Sequence, residues 1–420
     1  MKTAFSSADI LLPKKEIDMT KWAVVACDQF TSELEYWEET IRTVGDAPSS
    51  LKIILPEVFL EHDDVDRRLD RIEENMEQYM AEGNFVEYKD AMIYVERKDS
   101  SGRIRAGLIG KLDLEQYDYR KGSKSQIRAT EATIVGRIPP RMRVRKKASM
   151  ELPHIMVLID DEEKTVIKPL QSKKDEMELL YDFPLMQGGG SVKGYLLGEE
   201  EKRQVEEALS GLCDVDAFNK KHGTKEENVL LYAMGDGNHS LATAKEYYEY
   251  LKAVNPDQDL SDHPARYALV ELVNLHSTAL EFEAIDRIIT ETDVNHLMRE
   301  MTTKLGLSTK GGGQEVTIVH DHIEEHLYIT RPSSNLATGS IQNFLDDYLS
   351  RNPGRIDYIH GIETVKHLAE QPKSLGIILP DLRKDELFPT VILDGALPRK
   401  TFSMGHARDK RYYLECRKIR

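Results

Sequence analysis

Apolar positions recur along the chain with two different spacings. Between residues 63 and 82 they fall at Val65, Leu69, Ile72, Met76 and Met80, three or four apart, and Gly83 follows. That period puts them on one face of a helix, with the glycine as its stop. The methionines belong to the core-facing stripe. The same period predicts helices over 199–210, over 239–254 up to Asn255-Pro256, and over 341–350. Ser32 and Glu35 have the spacing of a capping box and open a helix to about Thr43.

Short continuous apolar runs predict buried strands instead. They are WAVVAC at 22–27, ending at Asp28, HIMVLID at 154–160, NVLLYAM at 228–234 and LGIIL at 375–379. MIYVER (92–97) and RIRAGLIG (103–110) flank Asp99-Ser100-Ser101-Gly102, a hairpin signature. QEVTIVH (314–320) and HLYIT (326–330) form a second pair. No internal repeat has a fixed period. This alternation predicts an α/β, or mixed α+β, protein built on a mixed sheet with flanking helices. Residues 161–176 are charged and loose, which marks a boundary. The expected portions are 1–165, α/β with a basic segment, 166–290, carrying the central glycine-rich loop, and 291–420, α/β with a basic tail.

Composition narrows the class. The chain has 420 residues, 40% hydrophobic and 31% charged, which excludes wholesale disorder. No apolar run reaches the ~20 residues of a membrane span. The first residues lack a signal-peptide core, because Asp9 interrupts the apolar stretch and Pro13 to Glu16 close it. Three scattered cysteines make neither a disulfide framework nor a zinc site, so a reducing, cytoplasmic setting is expected. The net charge of −16 argues against an anionic membrane or extended nucleic acid as partner. It hides an asymmetry. Residues 120–147 hold ten basic side chains against Glu131 alone, and residues 399–420 hold eight against Asp409 and Glu415. Cationic islands in an acidic chain suit a small anionic metabolite or nucleotide, or else are solvated faces.

The most informative stretch is Asn228–Lys245, where a buried strand runs into Gly235-Asp236-Gly237 and then a helix starting near Asn238 or His239. Glycines let backbone approach a ligand, and a helix N-terminus presents unpaired N–H groups, an arrangement suited to phosphate. On that reading Gly235, Gly237, Asn238 and Ser240 bind phosphate, Asp236 holds Mg²⁺ or acts as a base, and His239 donates to a phosphoryl oxygen or shuttles a proton. The same residues also fit a plain strand–turn–helix joint. Glu131, surrounded in sequence by cations, is expected to be ionised, as a catalytic carboxylate or in an ion pair with Arg128 or Arg143. Asp28, Gln29 and Thr31 follow a strand, a common place for substrate-binding groups. Cys27 reads as core. The glycine-rich Gly188–Gly194 loop with Lys193 lacks the spacing of a Walker loop. His320-Asp321-His322 reads as a turn, since neighbouring strand residues point to opposite faces.

GDGNHSLATA resembles the D-G-H-H-R loop of the family called domain of unknown function 1015 (DUF1015). ACDQFTSELEYW (26–37), IRATEATIVGRIPPRMRVR (127–145), HPARYALVELVNL (263–275), EAIDRII (283–289), FLDDYL (344–349), YIHGIE (358–363) and LPRKTFSMGHARDKRYYLE (397–415) are similar to further segments of that family. The R-x-x-E-x-T segment places Arg128, Glu131 and Thr133 together. Two departures stand out: Asn238 replaces the first histidine of the loop, with His239-Ser240 in place of His-Arg, and Asp286-Arg287 replaces another His-Arg. With no arginine after His239, Arg143 or Arg287 has to supply the charge, with Lys400 of the basic tail. The loop more distantly resembles the phosphate loop of ParB/sulfiredoxin-like nucleotide-binding folds, which include free-serine kinases. That resemblance implies a nucleotide-dependent phosphotransferase acting on a small hydroxylated metabolite such as free serine, using ATP or ADP with Mg²⁺. Glu131 would then orient or deprotonate the acceptor, with Asp28, Gln29, Thr31 and Thr133 around it. A non-catalytic nucleotide- or metabolite-binding regulator and a phosphoester hydrolase are the alternatives.

Overall fold

The computed structural model describes residues 3–31, 33–60 and 62–420. They form two compact units. The first runs from the N-terminal end to Ala129, resumes over Thr133–Leu280 and includes His406–Arg420. The second combines Thr130–Ala132 with Glu281–Gly405. These units do not follow the boundaries expected after 165 and 290. Residues 161–176 stay inside the first unit, where Lys168–Lys173 is a short helix. The end of the chain returns to the first unit because its backbone pairs there: Tyr412–Tyr413 with Val24–Val25, and Arg417–Lys418 with Met150–Glu151.

The first unit carries a ten-stranded mixed sheet. From one edge the strands are Glu178–Pro184, Ser191–Leu196, Ile93–Lys98, Ile104–Asp113, Tyr267–Asn274, Met156–Ile159, Tyr232–Asp236, Ile127–Arg128 and Tyr117–Asp118, and Phe5–Ser6 also pairs with Ile104–Asp113. The predicted hairpin is its antiparallel start. Met156–Ile159 runs parallel to Tyr267–Asn274 and antiparallel to Tyr232–Asp236. Such a switch brings the chain ends beside these strands to one place. The helix Asn238–Val254 follows the last of them and buries Leu241, Ala242, Ala244, Tyr247 and Tyr248. The amphipathic helix spans Val65–Ala81 and buries Leu69, Ile72, Met76 and Tyr79.

The second unit is a six-stranded antiparallel sheet, in the order Leu307–Ser308, Ile323–Ile329, Gln314–His320, Leu375–Ile378, Asp286–Thr290 and Arg355–Ile359. Helices Val294–Leu305 and Ala337–Leu349 pack Leu297, Met301, Ile341 and Phe344 into its core. Asp321 and His322 form the two-residue tip of the Gln314–Ile329 hairpin, both with positive φ. That is the turn the sequence indicates. Among the described residues no helix is long and apolar enough to cross a membrane.

Local differences from the sequence reading have identifiable causes. The WAVVAC strand shrinks to Val24–Val25, because Asp18 accepts the Thr20 N–H and starts a one-turn helix through Trp22. The NVLLYAM strand starts later, at Tyr232, and runs on through Gly235 and Asp236. The expected glycine-rich loop is largely strand: Ser191–Leu196 pairs on both sides, and Lys193 is bound 2.8 Å from Asp182. The capping-box serine, Ser32, lies outside the described residues, and the helix it was expected to open spans Leu34–Val44.

Candidate functional site

The strand Tyr232–Asp236 ends on Asp236, and the chain turns on Gly237 into the long helix. Gly237 has a left-handed φ of 79°, and a Cβ there would lie 3.0 Å from Ile155 Cα. Glycine is therefore needed both for the dihedral and for close packing. As N-cap it has no side-chain oxygen of its own to offer the first-turn N–H groups. The positive end of a seventeen-residue helix is thus left without its usual serine or aspartate cap.

Around this turn the first unit assembles several polar groups. The Gly237 N–H donates to Asp236 Oδ1 at 2.9 Å, and Lys410 Nζ lies 3.4 Å from Asp236 Oδ2. Ser240 Oγ lies 3.2 Å from His154 Nε2. The same nitrogen is 3.6 Å from Asp28 Oδ2, and His154 Nδ1 is 2.8 Å from the Tyr413 hydroxyl. Gln29 Nε2 donates to Asp28 Oδ1 at 3.0 Å. Burial pushes the Asp28 carboxyl up, but His154, the Gln29 hydrogen bond and Lys410 together outweigh it and hold the group below its ordinary range. Asp28 is therefore a carboxylate at neutral pH, aimed at an imidazole. Burial, reinforced by Asp28, pushes the Cys27 thiol up, so Cys27 is no thiolate nucleophile. The Ile134 N–H donates to His239 Nε2 at 3.3 Å, which joins the segment after Thr133 to the turn. Thr133 Oγ1 and Asn238 Oδ1 are buried without a hydrogen-bond partner among the described residues. Unpartnered buried oxygens beside a helix N-terminus are the kind of group a ligand satisfies.

Of the residues around the turn, Ser240, His154 and Tyr413 border a cavity of about 160 Å³ inside the first unit, as does Thr243. Both basic segments contribute to its lining, through Arg141 and Arg145 from one and Tyr413 and Ile419 from the other.

The structure therefore gathers Asp28, Gln29, Asp236, Gly237, Asn238, His239, Ser240 and Thr133 in one unit, and the other candidates have different surroundings. Arg128 is buried and spends its donors on Ser125 O, Asn228 O and Glu226, so it braces the loop before the site. Arg143 is an exposed partner of Asp66. Arg287, in the second unit, is fully buried, donating to Gln342 and to the carbonyls of Ile285 and Arg399. The Arg128 and Arg287 guanidiniums are thus held inside the protein. Glu131 lies in the second unit with Arg287 and Lys400 near it, accepts the Thr401 N–H at 3.3 Å and bridges to Leu397. Burial there outweighs those neighbours and raises its carboxyl, the opposite direction to the one its cationic neighbours favour. Lys400 and Thr31 are exposed. Asp236, the residue expected to hold Mg²⁺, faces the Lys410 ammonium. Sequence reasoning passed over His154, Lys410 and Tyr413.

Arg143→Ala is expected to change unfolding free energy by no more than about 0.5 kcal/mol, as for other exposed ion pairs, and to leave any ligand-induced melting shift unaltered. Thermal unfolding with and without nucleotide checks both.

No curated protein matches the chain. Among solved structures, a free serine kinase in complex with AMP is similar at 8% identity and a TM-score of 0.38, covering 74% of this chain and 91% of that one. A conserved hypothetical protein from Pyrococcus furiosus is similar at 9% identity and a TM-score of 0.35, with coverages of 70% and 90%. SbnI with C-terminal truncation from Staphylococcus aureus is similar at 10% identity and a TM-score of 0.37, with coverages of 71% and 82%. At such identities no residue role transfers. The family comparison is of a different kind: its match extends over residues 11–386, nearly the whole chain and including every element of the turn, and the chain belongs to the family described as Protein of unknown function (DUF1015).

Proposed function

We propose that the first unit binds a nucleoside phosphate at the Gly235–Ser240 turn and transfers a phosphoryl group to a hydroxyl on a small metabolite. The observation that carries this reading is the glycine-capped N-terminus of the Asn238–Val254 helix, with Lys410 beside it and two unpartnered oxygens next to it. The helix end and Lys410 offset phosphate charge, and His239 faces the same turn. The Asp28–His154 pair supplies a base. As the acceptor oxygen bonds to phosphorus and the bond to the leaving phosphate breaks, the hydroxyl proton goes to His154 Nε2. Asp28, 3.6 Å away, stabilises the imidazolium formed. Ser240, on the same nitrogen, positions the ring or the acceptor hydroxyl. No step is assigned to Glu131.

The test is thermal unfolding of the full chain with ATP, ADP, CTP, GTP and pyrophosphate, each with and without Mg²⁺. A ligand at ~100 times its dissociation constant adds about 2.7 kcal/mol, a readily visible shift. One nucleotide is expected to raise the melting temperature, and Lys410→Ala to weaken it about tenfold, the ~1.4 kcal/mol of one charge-assisted contact. Phosphorus NMR of mixtures with candidate acceptors then reads turnover. A shift without turnover on any acceptor would make the chain a binding regulator, and phosphate release without acceptor would make it a hydrolase. No shift with any of the five overturns the phosphate-site reading.

A further inference from the structure

We infer that the cavity beside Ser240 takes an uncharged apolar group of about ring size, so that the acceptor is an aromatic or branched aliphatic alcohol and not a free amino acid. The inference rests on the phosphotransfer reading for its chemistry and on the cavity for its choice of substrate. Ile54, Leu60, Met76, Val144 and Ile155 are among its apolar wall residues. Its volume of about 160 Å³ is close to the ~150 Å³ at which an apolar cavity takes up benzene.

Charge decides against a zwitterion. The charged side chains that reach the wall are already paired: Arg141 with Glu57, and Arg145 with Glu151 at 2.7 Å. Glu151 is held again by Arg417 at 2.8 Å. An ammonium and a carboxylate entering here would have to break these half-buried or buried pairs, leaving charges uncompensated. An apolar group displaces only water. Apart from those pairs, the polar lining includes His154 and Ser240, whose Nε2 and Oγ lie 3.2 Å apart, with Thr243 and Tyr413. A ligand that matches this lining is amphipathic: an apolar body in the cavity and one hydroxyl at His154, next to the turn proposed to hold phosphate. An alcohol such as benzyl alcohol has this form, whereas serine and glycerol present polar groups along their whole length.

The experiment uses the full chain and four probes: benzyl alcohol, cyclohexylmethanol, L-serine and glycerol. Binding is read by titration calorimetry without nucleotide, and phosphorylation by phosphorus NMR with the nucleotide that shifts the melting temperature. The two apolar alcohols are expected to bind at least tenfold more tightly than the two polar probes and to be phosphorylated at least tenfold faster. Ala148→Leu, which fills the cavity, is expected to weaken the alcohols at least tenfold while melting at or above the parent's temperature. Leu60→Ala, which enlarges it, is expected to shift preference to a bulkier alcohol such as 2-naphthylmethanol. Serine or glycerol phosphorylated in preference to the alcohols overturns the inference and leaves the phosphotransfer reading standing. The absence of any nucleotide shift overturns that reading, while calorimetry without nucleotide still decides the cavity: equal binding of all four probes, or of none, overturns its assignment.

Discussion

Glu271→Ala is expected to destabilise the first unit by about 3–5 kcal/mol, the usual cost of removing one partner from a buried ion network. Glu271 is 1% exposed on the central strand Tyr267–Asn274. Its carboxylate accepts from Arg105 Nε at 3.2 Å and Nη2 at 3.4 Å, and from Arg411 Nη1 at 2.6 Å. Arg411 continues to Glu415, and Glu415 to the Tyr181 hydroxyl. Gly107 makes room for this carboxylate: a Cβ there would come within 2.7 Å of Glu271 Oε1. The variant leaves two buried guanidiniums without the acid they share. Burial alone would raise the Glu271 carboxyl, but Arg105 and Arg411 overcome it and bring it from 4.5 down to about 2. A folded value below the unfolded one means the stabilisation is complete above about pH 4.5 and lost as the pH falls from there towards about 2. At ~1.4 kcal/mol per unit that is about 3 kcal/mol. Urea unfolding at neutral pH and at pH 3 checks both claims. The parent should lose stability between the two conditions, and Glu271→Ala should lose correspondingly less. A variant as stable as the parent at neutral pH would show that the network is not what holds this end of the chain to the sheet.

The network also shows what a linear reading can and cannot reach. Periodicity is a local property, so the Val65–Ala81 helix, the Ile93–Asp113 hairpin and the Asp321-His322 tip were all legible. The Gly235–Ser240 turn was legible for the same reason, since a buried run, two glycines and a helix period follow one another directly. Charge is different. The sequence says where a cation is, but not which acid folds against it. Arg128 meets Glu226 and Arg143 meets Asp66 only through tertiary structure. For Glu131, burial, which the sequence does not display, outweighs the cationic neighbours and raises the carboxyl. The base proposed for the site could not be assembled in advance either. Asp28 and His154 come from distant segments, and Lys410 reaches Asp236 only because the end of the chain pairs back beside Val24–Val25.

Gly237→Ala is expected to remove the nucleotide-induced melting shift, corresponding to at least tenfold weaker binding, and to lower the stability of the free protein by about 2 kcal/mol. Two separate strains contribute. A Cβ in the left-handed region costs roughly 1–2 kcal/mol. The same atom would lie 3.0 Å from Ile155 Cα and 3.1 Å from its Cγ1, so either the turn or the Ile155 segment must give way. If the turn moves, the first N–H groups of the helix no longer converge where phosphate is proposed to sit. The two strains separate in a double-mutant cycle. Ile155→Ala removes the Cγ1 contact but neither the dihedral strain nor the approach to Cα. In the Gly237→Ala/Ile155→Ala protein the stability loss should therefore fall short of the sum of the single losses, while nucleotide binding stays weak, because the left-handed turn is still opposed. If the double variant regains full nucleotide binding, close packing on Ile155 and not the backbone conformation of Gly237 positions the turn. If Gly237→Ala alone binds nucleotide as the parent does, the helix N-terminus is not the phosphate site.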